Sequence, residues 1–241
     1  MRPETMPLDQ LSMRSDSAAA NMAADFLLLQ HYPDPARARW RHYQWHRPAV
    51  TFGYAQKIKE VQAQLEENVA ELDLCRRPTG GGIVDHRDDW TYALVIPAQH
   101  DLGAARAAES YTAVHQVLAA TLKNQGCAAM LQPAETVATA EAGPAVCFTR
   151  AEPADVIHAT SGLKIAGAAQ KRSKRGLLFQ GSIAQSVAGD IDWDQFEAEF
   201  GEALAKLLQE TLEPCPWPEP WDEMVDALAE DYTSDAWIAR R

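Results

Sequence analysis

The chain has 241 residues, an ordinary balance of apolar and charged residues, and a formal net charge of −12 at pH 7. The acidic balance argues against broad nucleic-acid binding, which needs a basic surface. No apolar run approaches the roughly 20 residues of a membrane span, and the first residues lack an apolar signal region. We therefore expect a cytoplasmic protein that binds neither nucleic acid nor membrane.

The periodicity of apolar residues predicts interleaved helices and strands. Residues 1–14 are expected to be mobile or loosely packed. The predicted elements that follow are a helix at 15–32, two strands within 38–54, a helix at 56–71, strands at 72–78 and 90–97, a helix at 103–126, three strands within 155–185, a helix at 192–212 and one short closing helix. Hairpins predominate in the later strands, which favours a mixed α/β (α+β) domain over a doubly wound one.

Capping residues support several of these boundaries. Ser15 or Asp16 is expected to cap the first helix, and Asp192 the helix at 192–212. Gly126 is expected to end the helix at 103–126. Pro48 separates the two strands within 38–54.

The four cysteines carry no metal-binding pattern. They form no CxxC pair, and no Cys/His group has zinc-finger spacing. The sequence therefore predicts no metal site, and free thiols in a cytosolic chain.

A run of three glycines at 80–82 follows a predicted strand within RRPTGGGIVDH, residues 76–86. One interpretation is a flexible turn that uses the freedom of glycine. The other is a loop whose backbone N–H groups face the carbonyl, carboxylate or phosphate of a ligand. Arg76 and Arg77 fit an anionic ligand. The spacing matches neither a Walker loop nor a Rossmann fingerprint.

A lysine in a strand-like run is the second candidate. Lys164 lies between apolar neighbours in GLKIAGAAQKR, residues 162–172. It could polarise a carbonyl, neutralise an oxyanion or donate to a phosphate. The alternative is an outward-facing lysine without a catalytic role.

Together, these stretches resemble a known superfamily. RRPTGGGIVDH, then GLKIAGAAQKR, then LLFQGSI are similar to motifs of the biotin/lipoate protein ligase and octanoyltransferase superfamily, in the same order. NMAADFLLL and TFGYAQ resemble its first helix and its strand-to-helix turn, so the resemblance covers about residues 18–186. It implies the biotin/lipoate ligase catalytic-domain fold, with mixed, largely antiparallel sheets flanked by helices. It also implies one catalytic domain over 15–241 and no accessory C-terminal domain.

The resemblance also implies a narrow tunnel for a medium-chain acyl or lipoyl group. Lys164 would contact the acyl carbonyl or acyl-adenylate, and the glycine loop would line the tunnel. The substrate-binding residues expected on this basis are Arg76, Arg77, Thr79, Gly80, Gly81, Gly82, His86, Asp155, Gly167, Ala168 and Gln170.

Two chemistries occur in this superfamily, and Cys147 bears on the choice between them. Ligases use ATP and Mg²⁺ to form an acyl-adenylate, whereas transferases move octanoyl through a cysteine thioester without a cofactor. Cys147, in GPAVCFTR, resembles the nucleophile of one octanoyltransferase and amidotransferase branch. Lys164 would then favour its thiolate, whereas His86 and His158 are expected to be structural or to contact substrate. The alternative for Cys147 is a small buried apolar residue.

Departures from that branch keep the ligase alternative open. Ala168 and Gln180 stand where the branch usually has Ser and often His, and Ala154-Asp155 replaces Tyr-Glu, resembling the Asn-Asp pair of ligases. A catalytically silent acyl- or lipoyl-binding protein is a third alternative. For the transferase, the acyl donor would be octanoyl-acyl carrier protein. The acceptor would be a lysine of a lipoyl-domain protein or of a glycine-cleavage H protein.

The turn QKRSKRG, residues 170–176, concentrates positive charge in an acidic chain. It is either a solvated hairpin tip or a docking patch for an acidic carrier protein. The basic residues of this expected patch are Lys171, Arg172, Lys174 and Arg175. We expect the protein to act as a monomer.

Overall fold

Strands and helices alternate along the described part of the chain. The structure, a computed structural model, describes residues 6–65, 71–134 and 151–240 of the protein. The strands are β1 (Pro7–Leu11), β2 (Arg14–Asp16), β3 (Ala38–Trp45), β4 (Ala49–Phe52), β5 (Asp73–Arg76), β6 (Val84–Asp85), β7 (Asp89–Pro97), β8 (Ala129–Leu131), β9 (Val156–His158), β10 (Lys164–Ser173), β11 (Gly176–Ala184) and β12 (Thr211–Cys215). The helices are α1 (Ala18–Gln30), α2 (Ile58–Gln64), α3 (Asp101–Ala104), α4 (Ala107–Asn124), α5 (Gln185–Ala188), α6 (Trp193–Leu208), α7 (Trp221–Thr233) and α8 (Asp235–Ile238).

The strands form one large and one small sheet. The large sheet has the order β12-β1-β3-β7-β11-β10-β9-β8, with β2 also paired to β3. From β3 to β8 its neighbouring strands are antiparallel, whereas β1 runs parallel to both β12 and β3. The small sheet has the order β5-β4-β6. The predicted mixed, largely antiparallel fold is confirmed.

Helices bury both faces of the large sheet because side chains alternate along its central strands. In β7, Tyr92 and Leu94 pack in the same apolar cluster as residues of α4 and α6. Ala93 and Val95, on the other face, pack with residues of α1 and α7. The central strands are therefore apolar on both faces, which explains the continuous run WTYALVIP.

Capping side chains set the N-terminal ends of α1 and α6. Ser17 caps α1 by accepting the N–H of Ala20 at 3.2 Å, so neither Ser15 nor Asp16 is the cap. Asp192 caps α6 as predicted, accepting the N–H of Gln195 at 3.1 Å.

Several parts of the chain differ from the sequence prediction. Residues 7–11 are not loosely packed: they form β1 inside the sheet, and Leu8 and Leu11 are buried. The helix expected at 192–212 ends at Leu208, and an unpredicted strand, β12, follows. The chain closes with two helices, α7 and α8, rather than one.

Candidate active site

A partly enclosed cavity, with about 490 Å³ of empty space that includes space open to solvent, lies between the two sheets. Its floor is formed by β10, β11, β7 and β3, and its roof by the small sheet and the glycine loop. Its lining residues are Met22, Tyr43, Thr51, Arg77, Gly81, Val84, His86, Thr91, Lys164, Gly167, Ala168, Ala169, Gln180, Gly181 and Ser182.

A wider cleft adjoins this cavity. It is lined by the glycine loop, the start of α4 and the chain around Asp155. Four residues line both spaces: Gly81, Lys164, Ala168 and Ala169. Lys164 therefore lies where the cavity meets the cleft.

Lys164 is held there by an ion pair. Its Nζ lies 2.7 Å from Oδ2 of Asp155, and the two side chains are only 8% and 1% exposed. The lysine side chain extends over Gly167, because a Cβ at Gly167 would lie 2.7 Å from both Cε and Nζ of Lys164. The absence of a side chain at Gly167 thus leaves the space that the lysine occupies, which gives a physical reason for the small residues after Lys164.

The carboxylate of Asp155 is held in turn by two hydrogen-bond donors besides the lysine. Tyr111 donates its hydroxyl to Oδ1 at 2.5 Å, and the N–H of Glu152 donates to Oδ2 at 2.7 Å. The preceding residue, Ala154, has a φ of 66°, in the left-handed region that non-glycine residues seldom adopt. Its carbonyl accepts a hydrogen bond from Nδ1 of His115 at 2.7 Å.

The glycine loop is braced from within the protein. Arg77 donates to the carbonyls of Gly80 and Gly82 at 2.9 and 2.8 Å, and to the hydroxyl of Thr51 at 2.9 Å. Gly81 has a φ of 91°, which favours glycine. At Gly53, a Cβ would lie only 2.8 Å from the carbonyl carbon of Gly81, so the loop packs against a position without a side chain. Arg77 lines the cavity but also holds the loop's shape, which the sequence did not predict.

A buried polar chain connects this loop to the core. Thr79 donates to Oε1 of Gln180 at 2.7 Å, and Nε2 of Gln180 donates to Asp25 at 2.7 Å. Asp25 pairs with Arg41 at 2.7 Å, and both side chains are fully buried. Thr79 does not line the cavity or the cleft, so it supports the loop through Gln180.

His86 lines the cavity. One ring nitrogen lies 2.7 Å from the Thr51 hydroxyl and the other 2.6 Å from Asp89. Its ring stacks on Trp45 with centroids 4.1 Å apart. His86 is therefore held as part of the wall.

Arg76 is not placed to bind an anionic ligand. Its guanidinium donates to five backbone carbonyls, two after β4 and three in the last residues of the described chain. In return, the indole N–H of Trp237 donates to the carbonyl of Arg76 at 3.0 Å. The expected role in substrate binding is wrong for Arg76, because consecutive strand residues point to opposite faces and this one meets α8.

The basic turn is smaller than predicted. Lys171 donates to the carbonyl of Pro78 at 3.3 Å and lies over the rings of Phe26 and Tyr54. Arg172 donates to the carbonyl of Gly103 at 2.9 Å and to the hydroxyl of Ser110 at 2.7 Å. Both belong to β10 and bind neighbouring elements rather than lying at the tip of the turn, and Arg172 is exposed; their docking role stays a prediction.

Lys174 and Arg175 lie exposed at the tip of the turn. Ala168 and Gln170 line the cleft, and their role in substrate binding stays a prediction. His158, on β9, lines neither space. Cys147 lies outside the described residues.

Two site residues were not identified from the sequence as functional. Tyr111 on α4 reaches Asp155, and Gln180 on β11 joins the glycine loop to Asp25. The departure at Gln180 from the superfamily pattern was a signal for the second residue. No local pattern marked Tyr111, because its partner is far along the chain.

The described residues contain neither a helix that could cross a membrane nor a cluster of side chains that could hold a metal ion. Among the helices in residues 6–65, 71–134 and 151–240, none is long and apolar enough to cross a membrane. Within those same ranges, no group of three or more histidine, cysteine, aspartate or glutamate side chains is arranged to hold a metal ion.

Comparison with known proteins identifies the family. A family model described as the lipoyl protein ligase A/B catalytic domain matches residues 17–240. An octanoyltransferase LipM from Halalkalibacterium halodurans is 32% identical over 74% of this chain and 66% of its own length. This match spans slightly less than two thirds of that relative. An octanoyltransferase LipM from Staphylococcus aureus is 28% identical over 92% of this chain and 94% of its own length.

A solved structure shows the same fold. A lipoate-protein ligase A bound with ATP superposes with a TM-score of 0.75 over 97% of this chain and 99% of that chain, at 17% identity. This low identity supports the fold alone. The match of the family model over nearly the whole chain confirms the resemblance found in the sequence: the chain belongs to the lipoyl protein ligase A/B catalytic domain family.

Proposed function

We propose that the protein transfers octanoyl or lipoyl groups to a lysine of a lipoyl-domain protein or a glycine-cleavage H protein. The observation that carries this proposal is a partly enclosed cavity lined by Lys164, whose ammonium is buried and paired with Asp155. An acyl chain would fill the cavity, and its carbonyl would lie at the lysine. The similarity to LipM octanoyltransferases favours octanoyl as the group transferred.

The cavity suits an aliphatic chain although several of its lining residues are polar. The hydroxyl of Ser182 donates to Asp89 at 2.5 Å, and that of Thr91 donates to Asp89 at 3.0 Å. The hydroxyl of Thr51 binds His86, and the amide of Gln180 binds Asp25. Because these groups already bind protein atoms, an acyl chain would leave none of them without a partner.

Lys164 would stabilise the negative charge that develops on the acyl carbonyl oxygen. A fixed cation in a buried site stabilises an oxyanion more than one in water does, and the pair with Asp155 fixes this cation. Gly81, which also lies where the two spaces meet, would bring backbone close to the same carbonyl.

Cys147 is the nucleophile in this proposal. It lies outside the described residues, but the chain on both sides of it, at Ala134 and Glu152, lines the cleft. Its thiolate would attack the carbonyl of an octanoyl-carrier thioester, forming a new C–S bond while the carrier thiolate leaves and takes up a proton. The amine of the acceptor lysine would then attack this thioester, lose a proton and release the Cys147 thiolate as the amide forms.

This route needs neither ATP nor Mg²⁺, because one thioester is exchanged for another of similar energy. It does need a reduced cysteine, so the proposal places the protein in the cytoplasm. We further propose that it acts as a monomer. The ATP-dependent ligase is the second candidate, favoured by the aspartate at position 155, where ligases carry one.

Intact mass spectrometry after incubation with octanoyl-acyl carrier protein, without ATP, tests the nucleophile. We expect one octanoyl adduct that hydroxylamine removes and that is absent from Cys147→Ala, because a thioester to this residue is the proposed intermediate. Cys215→Ala is the matched control, since this half-buried thiol lines neither the cavity nor the cleft; it should retain the adduct.

Two other results would contradict the transferase. Formation of an acyl-adenylate from free octanoate or lipoate with Mg-ATP, without a cysteine adduct, would identify a ligase. Binding of the acyl group with neither adduct nor adenylate would identify a non-catalytic binding protein.

We also propose that the tip of the β10–β11 hairpin guides an acidic carrier protein to the cleft. Lys174→Glu with Arg175→Glu is expected to slow association with octanoyl-acyl carrier protein about tenfold at low salt, because steering by opposite charges would become repulsion. Stopped-flow association rates at increasing salt measure this.

The control for the hairpin variant carries the same change in charge elsewhere. Lys123 and Lys206 are exposed on α4 and α6. Lys123→Glu with Lys206→Glu should alter association much less. Equal slowing by the two double variants would show that net charge, rather than the hairpin, governs the encounter.

A further inference from the structure

Asp155 is held on the side away from Lys164 by helix α4. Tyr111 donates to Oδ1 of Asp155 at 2.5 Å, whereas the lysine lies 2.7 Å from Oδ2. Burial, together with the nearby charge of Asp155, raises the pKa of Tyr111 far above its usual range. The tyrosine hydroxyl therefore keeps its proton and acts as a donor to the carboxylate that binds the lysine.

The position of the Tyr111 hydroxyl is itself fixed. It accepts the backbone N–H of Ala168 at 3.0 Å, and Ala168 lines both the cavity and the cleft. The Tyr111 ring also meets the ring of His115 edge to face, with centroids 4.0 Å apart. One hydroxyl thus links α4, β10 and the carboxylate of Asp155.

His115 holds the neighbouring residue of the same segment. It lies one helical turn after Tyr111, so both side chains project from one face of α4. Burial lowers the pKa of His115 to about 4, so its ring is neutral near pH 7 and Nδ1 donates its one N–H to the carbonyl of Ala154. Two side chains of one helix face therefore bind two consecutive residues, Ala154 and Asp155.

We propose that Tyr111 is a positioning residue for acyl transfer, which fixes Asp155 and thereby holds the Lys164 ammonium where the cavity meets the cleft. The inference rests on the proposed function, because that function places the acyl carbonyl at Lys164. Tyr111 also lines the cleft, but its hydroxyl is engaged by Asp155 and by the N–H of Ala168, so it acts through Asp155, and phenylalanine would keep its ring in the cleft wall. Removal of its hydroxyl should therefore lower the rate of transfer and leave the KM for the acyl carrier nearly unchanged.

The test measures the NMR signal of the Lys164 ammonium, which does not depend on turnover. The ¹H–¹⁵N NMR signal of the Lys164 ammonium is assigned by its loss in Lys164→Met. In Tyr111→Phe this signal should broaden, because the ammonium protons exchange faster with water. The wild-type protein should show this signal sharply because the ammonium is buried and paired. Single-turnover transfer from octanoyl-acyl carrier protein should fall at least about tenfold, as expected when a reacting group is misplaced.

Tyr32→Phe is the matched control. Tyr32 also donates its hydroxyl to a buried carboxylate, Asp9, at 2.6 Å, but it lines neither the cavity nor the cleft. This variant should keep both the lysine signal and the transfer rate.

Three results would overturn the proposal. These are an unchanged lysine signal in Tyr111→Phe, loss of that signal in Tyr32→Phe as well, and a weak signal already in the wild type. If the wild type transfers no acyl group, the proposed function fails, and the NMR comparison still decides whether Tyr111 fixes the lysine.

Discussion

Replacing Lys164 with methionine should reduce acyl transfer by about two to three orders of magnitude, the loss typical of removing a group that stabilises an oxyanion. Methionine keeps the unbranched shape that fits over Gly167 but carries no charge. The rate is measured in single turnover with octanoyl-acyl carrier protein as donor. Lys206→Met, at an exposed position on α6, should transfer at the wild-type rate.

The same variant also leaves the Asp155 carboxylate buried without its cation. Breaking a buried ion pair from one side typically costs about 3–5 kcal/mol of stability. The double variant Lys164→Met with Asp155→Asn removes this charge, so it should recover most of the stability but none of the activity. Recovery of both, or nearly full activity in Lys164→Met, would show that the lysine is structural.

Replacing Arg41 with methionine should lower the free energy of unfolding by about 3–5 kcal/mol. Its partner, Asp25, is fully buried and also accepts hydrogen bonds from Tyr43 at 3.1 Å and Gln180 at 2.7 Å. Without Arg41, a carboxylate in the core would lack its cation. Urea unfolding measures the loss as a lower midpoint with an unchanged slope.

Two further variants test this explanation. Arg41→Met with Asp25→Leu should be more stable than Arg41→Met alone, because the uncompensated charge is gone. Lys57→Met breaks an exposed pair with Glu60, whose side chains are 72% and 62% exposed, and should cost at most about 1 kcal/mol. Equal losses for Lys57→Met and Arg41→Met would contradict a special cost of burial.

The parts of the site that could be predicted from the sequence are those that depend only on consecutive residues. The glycines at 80–82, the strand beginning at Lys164 and the turn near 173–176 each depend on local backbone preferences, and the structure has them. Lys164 and Asp155 were both candidates, although their direct pairing could not be read from their spacing.

The errors concern partners that the fold brings from far along the chain. Arg76 and Arg77 look equivalent in the sequence, but Arg77 braces the glycine loop while Arg76 binds carbonyls at and after α8. Lys171 and Arg172 look like part of an exposed turn, but β10 continues through them. Tyr111 lies in an ordinary helical pattern, and nothing local links it to Asp155.

The pairing of β1 has a consequence for the order of synthesis. This strand lies between β3 and β12, with Pro7 opposite Thr211. On a ribosome, β1 and β3 emerge early, whereas the other neighbour emerges only when most of the chain has been made. Contacts between such distant segments form slowly, because a long loop must be closed first. During translation, one edge of β1 therefore exposes unpaired N–H and C=O groups to other nascent chains, a recognised hazard for aggregation.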